Sequence, residues 1–155
     1  MMSSMEERRP SADFVIETPD REVLLVVEAR NVAAPTPEWA LRFLRNLYVH
    51  AAIPRSEYFL LALRDHMYLW RRPHPDEQEL PAFAGDTAAT LAPYLQMIPI
   101  RLETMSQPGF EQVVYAWLAD LVAGTEPEPE AVKWLEDSGL LTSIRKGTIR
   151  AQMAA

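Results

Sequence analysis

Three side chains near the start of the chain, Asp13, Glu28 and Arg30, have the types and spacing of a site that handles phosphate. Asp13 opens the run Asp13-Phe14-Val15-Ile16-Glu17-Thr18, and Glu28 and Arg30 close the run Val23 to Arg30. Both runs read as strands, the second strongly β-branched. Pro19-Asp20-Arg21-Glu22 between them reads as a turn, with Pro and Asp where type I geometry wants them. Taken as a four-residue loop, it sets Thr18 opposite Val23 and, counting outward, Asp13 opposite Glu28. Directly opposed residues have Cβ atoms about 4.5–5.5 Å apart, so both carboxylates share one face of the sheet. Alternation along the strand puts Arg30 on that face too. The other face would carry Phe14, Ile16, Val23, Leu25, Val27 and Ala29, an apolar set suited to packing against helices.

Two carboxylates placed that close repel each other unless a cation lies between them. Oxygen-only ligands with room for water are what Mg²⁺ prefers, with Mn²⁺ close behind. Such an ion polarises a phosphoryl oxygen and lowers the pKa of bound water. A cationic side chain beside it stabilises charge developing on phosphate. That inventory suits phosphodiester hydrolysis. The same residues also read as a surface salt-bridge cluster at the open end of a sheet, worth about 0–1 kcal/mol per pair. An acid, a gap of fourteen residues and E-x-R is a weak motif, and on spacing alone both readings stand.

The rest of the chain must position these groups. Its 155 residues suffice for one domain with a proper core, and 48% hydrophobic with 24% charged residues is an ordinary globular composition. The longest apolar runs, such as Val23 to Val27, fall far short of the roughly 20 residues that span a bilayer. Met1 to Arg9 has charges but no apolar stretch after them, so no secretory signal is expected. Cysteine is absent, which removes disulfides, thiolate metal sites and thiol nucleophiles and favours a cytoplasmic home. The net charge of −7 lacks the basic excess of a freestanding duplex binder, so contact with DNA would be local, metal-assisted or partner-assisted.

Thr36-Pro37-Glu38 announces a helix to about His50, with Thr as N-cap, Pro at the first position and an acid in the first turn. Tyr58 to Leu63 and Met67 to Trp70 read as strands buried on both faces, joined by a tight turn at Arg64-Asp65-His66. Arg72 to Gly85, with three prolines, reads as a long irregular connection. The second half reads as mainly helical. One helix runs from Asp86 or Thr87 to about Met97, a longer one from Ser106 or Pro108 to Val122 before Gly124, and a third from Glu128 to Ser138. Leu140 to Met153 reads as a small hairpin around Lys146-Gly147. The expected fold is α/β, a mixed sheet of about four strands flanked by helices.

Arg9-Pro10-Ser11-Ala12-Asp13-Phe14-Val15-Ile16 followed by Val26-Val27-Glu28-Ala29-Arg30-Asn31 resembles the "RPDFVI … VVEVKN" pattern of the restriction-endonuclease-like PD-(D/E)xK nucleases. The helix after it and the two strands that follow match that superfamily's order of elements, and "PEWALRFLRNL … YFLLALRDHMYLW" resembles its small bacterial members. The resemblance spans residues 9–72, with residues 86–155 a helical extension of the same domain. It implies that Asp13 and Glu28 bind Mg²⁺ or Mn²⁺ and that the main-chain carbonyl of Ala29 is a third ligand. Arg30 stands where the family keeps its catalytic lysine. DNA is the implied substrate, and a homodimer or protein partner is compatible with it. Three departures are visible. Ala12 replaces the motif's proline. Arg30 replaces lysine, and a pKa above 12 forbids it a general-base role. Twelve residues precede Asp13 where the family places a helix and a strand, and Glu6 is the residue available to stand for the acid of that helix. A nuclease-fold module that has lost catalysis and serves binding or assembly is the competing expectation.

Arg42, Arg45 and Asn46 share one helical face, suited to DNA phosphate or simply to solvent. His50, His66 and His74 lack metal-ligand spacing. Trp39, Trp70, Trp117 and Trp134 read as core anchors. Arg71-Arg72 reads as a short solvated basic spot. The five glycines compose neither a P-loop nor a dinucleotide fingerprint, and no elbow motif supports Ser-His-Asp catalysis.

Overall fold

The computed structural model describes residues 13–33, 36–76, 79–128 and 130–151. Ala12 and Glu6 lie outside the described residues. The elements are β1 (Phe14–Glu17), β2 (Val23–Arg30), α1 (Pro37–His50), β3 (Tyr58–Leu63), β4 (His66–Arg71), β5 (Phe83–Asp86), α2 (Thr87–Thr90) and α3 (Ala92–Leu95). A 3₁₀ turn at Leu102–Thr104 follows, then α4 (Gln107–Val122), α5 (Lys133–Ser138), α6 (Leu140–Ser143) and β6 (Thr148–Ala151).

The strands form one six-stranded sheet in the order β5-β4-β3-β2-β1-β6. β2 and β3, joined through α1, run parallel, and every other neighbouring pair is antiparallel. The protein is therefore α/β with a mixed sheet. One face carries Val15, Val26, Phe59, Leu61, Tyr68 and Trp70 beneath Ala40 and Leu44 of α1. The other carries Phe14, Ile16, Leu25, Val27, Leu60 and Leu69 against α4 and the α5–α6 pair. Helices on both faces explain why β3 is buried along its whole length and why its sequence is unbroken apolar.

Local sequence sets the helix ends. The Thr36 hydroxyl accepts the Trp39 N–H at 3.1 Å, with Pro37 at the first position of α1. Ser106 Oγ accepts the Gly109 N–H at 3.1 Å to open α4, and Gly124 in the left-handed region (φ 90°) ends it. Phe110, Val114, Trp117, Leu118 and Leu121 form the inward stripe of α4.

The β1–β2 hairpin reaches the expected pairing by an unexpected route. Its loop is one residue shorter than the sequence suggests. Thr18 N–H donates to Glu22 O at 2.8 Å, and Arg21, at φ 67°, takes the left-handed position of the turn. A bulge then absorbs the difference, because Glu17 pairs with Val23 while Ile16 pairs with Leu25. The two deviations cancel, and Phe14 pairs with Val27. Extending that register one step sets Asp13 opposite Glu28. Val23 is the residue displaced, packing on the α1 face rather than with Leu25.

Elsewhere the structure corrects the sequence reading. Part of the connection expected to be irregular, Phe83–Asp86, pairs with β4 and forms one edge of the sheet. The expected C-terminal hairpin does not form. Leu140–Ser143 is helical, Lys146 turns the chain at φ 69°, and Thr148–Ala151 pairs with β1 as the opposite edge. The helix expected from 86 or 87 to 97 is two short pieces, since Pro93 has no N–H with which to continue the first. The third helix starts at Lys133 rather than Glu128.

Candidate functional site

The site lies where β1 ends and β2 continues. Beyond the Phe14–Val27 pair, Ala29 and Asn31 still direct main-chain groups toward the side that β1 has left, and side chains satisfy them. Asp13 Oδ2 accepts the Ala29 N–H at 2.7 Å. Gln107, in the first turn of α4, donates from Nε2 to Ala29 O at 2.8 Å and accepts the Asn31 N–H on Oε1 at 2.9 Å. Its amide thus stands in for the missing strand, one donor and one acceptor presented to successive outward groups of β2. The second Nε2 proton goes to Glu111 Oε2 at 2.7 Å, one helical turn on.

Asn31 fixes the strand end from the other side. Its Nδ2 donates to Leu102 O at 3.0 Å and to Met105 O at 2.6 Å. Arg64 donates to Asn31 Oδ1 at 3.1 Å and to Asn31 O at 2.8 Å. The β3–β4 turn and the 3₁₀ turn are thereby tied to the residue after Arg30, leaving this end of β2 little freedom.

Glu28 is fully buried. Its carboxylate forms an ion pair with Arg30 Nη2 through Oε2, and Oε1 has no hydrogen-bond partner among the described residues. Burial, helped by the negative charge of Asp13 and opposed by Arg30, raises its pKa from an ordinary 4.5 to about 8. Asp13 is raised as well, chiefly by burial, against the pull of the Ala29 N–H and the Arg30 charge. Asp13 and Glu28 thus share one guanidinium, with Glu111 close enough to add to their repulsion.

All four residues expected at the site meet there: Asp13, Glu28, the carbonyl of Ala29, and Arg30, whose Nη1 donates to Asp13 Oδ2 at 3.1 Å and to Ala29 O at 3.0 Å. Among the described residues no three His, Cys, Asp or Glu side chains close on one metal position, so a metal here would rest on two carboxylates and a carbonyl. The donor chemistry fits a hard divalent cation: the donors are all oxygens, the charge is in deficit, and the buried Glu28 Oε1 is orphaned. Gln107, Glu111 and Asn31 were not singled out from the sequence. Their signal was slight, an i, i+4 polar pair opening an otherwise apolar helix and an Asn following Arg30.

The other candidates stay apart from this centre. Arg42, Arg45 and Asn46 are exposed on α1. His50 and His74 are exposed, and His66 lies at the start of β4 beside Asp65. Trp70, Trp117 and Trp134 are buried, and Trp39 stacks on Phe43 with ring centroids 5.3 Å apart. Arg72 pairs with Glu57 at 2.8 Å, and Arg71 lies over the Tyr58 ring.

No protein-family model matches the chain, and neither does any curated protein or solved structure. Among the described residues no helix is long and apolar enough to cross a membrane.

Proposed function

We propose that the protein is a metal-dependent phosphodiesterase acting on DNA, of the restriction-endonuclease-like kind. The observation that carries this reading is the convergence of two opposed carboxylates, one buried and one half-buried, with a guanidinium and an outward main-chain carbonyl at one end of the sheet. The edge position of β6 adds support, since it gives β1 an outer neighbour where the resemblance expects an earlier strand. Asp13 and Glu28, with Ala29 O, are the groups to hold Mg²⁺ or Mn²⁺. Such an ion, when bound, supplies Lewis acidity to the phosphoryl group and a water of lowered pKa.

The chain's own residues would do the rest. Arg30 can grip two phosphate oxygens through its planar fork and offset the charge that grows on them. It cannot accept the proton of the attacking water, so turnover is expected to be slow. Gln107 and Asn31 hold the strand end still, which keeps the Ala29 carbonyl aimed. With a net charge of −7 the grip on DNA is local, and the exposed Arg42 and Arg45 on the helix covering this face are a basic reserve for it. Plasmid incubation with Mn²⁺ tests the reading: the wild type should nick the DNA, and Glu28→Gln, with the same shape but no charge, should not. Equal cleavage by both would remove the acids from the chemistry.

One observation favours a second reading, a catalytically silent binding or assembly module on the same scaffold. The Arg30 guanidinium already touches Asp13, Glu28 and Ala29 O together. Arg30→Lys separates the two, because a shorter ammonium that switches on cleavage identifies a nuclease held back by its arginine.

A further inference from the structure

We infer that Arg30 keeps the cation seat closed until a phosphodiester draws it away, so that the site takes its anion before its metal. The inference rests on the metal reading above and adds an order of binding to it. The geometry is that of a substitute ion. One guanidinium donates to Asp13 Oδ2 at 3.1 Å and to Ala29 O at 3.0 Å, and pairs with Glu28 Oε2. They belong to the three groups a divalent ion would use. Mg²⁺ needs such oxygens at about 2.0–2.1 Å, which leaves no room for a guanidinium among them, and the two cations repel.

Ala29 O is already committed twice, to Arg30 Nη1 and to Gln107 Nε2 at 2.8 Å. A carbonyl oxygen has two lone pairs, so a metal can reach it only after one donor leaves. Gln107 is tied on both sides, to Asn31 N–H and to Glu111. Arg30 is the donor free to move. Its side chain is 35% exposed, against 18% for Asp13 and 1% for Glu28. Three charge-assisted contacts are not given up to water without replacement. A phosphodiester offers a guanidinium what it leaves behind, two anionic oxygens in a plane matched to its fork. The swung-out arginine then holds the phosphate beside the seat it has vacated. Each ligand therefore raises the affinity for the other, and by linkage the two effects are equal.

Titration calorimetry with Mn²⁺, on the wild type alone and on the wild type saturated with a short DNA duplex, reads this directly once the duplex-only heat is subtracted. The duplex should tighten Mn²⁺ binding by about tenfold or more, within the ordinary range of site–site coupling. Arg30→Gln, checked for folding by its thermal melt, should bind Mn²⁺ tightly without DNA and gain little from it. If the wild type binds Mn²⁺ equally with and without duplex, the ordered seat is overturned while the metal site stands. If the wild type binds no Mn²⁺ under either condition but Arg30→Gln does, the arginine is a permanent plug, which also overturns the inference. If neither protein binds Mn²⁺, the metal reading itself is gone. The wild-type pair decides the inference even if the variant does not fold.

Discussion

Glu28→Gln should abolish most of the protein's loss of stability between pH 5 and pH 7. Glu28 titrates at about 8 in the fold against 4.5 ordinarily, so the folded state favours its neutral form. The sign follows from proton counting. Below pH 4.5 both folded and unfolded chains hold the proton, and the site imposes no penalty. As pH rises the unfolded chain releases it while the folded chain keeps it, so stability falls until the folded carboxyl ionises near pH 8. The slope is about 1.36 kcal/mol per pH unit at full difference. Allowing for partial ionisation near pH 5, the loss from pH 5 to pH 7 is about 2–3 kcal/mol, and the raised pKa of Asp13 acts in the same direction. A glutamine fills the same space without ionising. Urea unfolding followed by tryptophan fluorescence, with chelator present and extrapolated linearly to water, measures the difference. The wild-type free energy should fall across this window and the variant's should be nearly level. A level wild-type profile, or a slope that survives in Glu28→Gln, would refute the claim that burial outweighs Arg30 in setting this carboxyl.

Three further perturbations follow from contacts at and around the site. Gln107→Leu leaves the Asn31 N–H unpaired and Ala29 O with Arg30 as its remaining donor, which should cost about 1–3 kcal/mol and accelerate hydrogen exchange at the Asn31 amide specifically. Gly85→Ala places a Cβ about 2.1 Å from Trp134 Nε1; overpacking of this kind costs about 1–3 kcal/mol, read as a lower melting temperature with altered Trp emission. Phe110→Ala empties a fully buried position of α4 and should cost about 3–5 kcal/mol in the same urea titration, with the β1–β2 hairpin losing its cover.

The strands and helices carrying strong local signals were legible in the sequence. Val23–Arg30 and Pro37–His50 have the expected bounds, the first from β-branched density and the second from a Thr-Pro-Glu opening. The meeting of Asp13 with Glu28 was legible too, but because a shorter turn and a bulge offset each other. Turn type and bulge placement depend on backbone angles at Arg21 and Leu24 that side-chain periodicity does not encode. β5 and β6 were illegible for a different reason. Each has four residues, half-buried at most, and owes its extended form to pairing with the strand beside it rather than to its own composition. Gln107 belongs to the same class, since its role is fixed by where α4 crosses β2, a contact 78 residues away along the chain.

The position of β6 bears on how the molecule comes to be made. Glu17 and Arg150 form an ion pair across a separation of 133 residues, on the strands that lie side by side at one border of the sheet. During synthesis, then, the strand after Asp13 is made long before residues 148–151, its outer neighbour among the described residues, arrive to pair with it. Exposed flanks of this kind recruit other chains. The interval before that strand docks is when the nascent protein is most open to sticking to its neighbours.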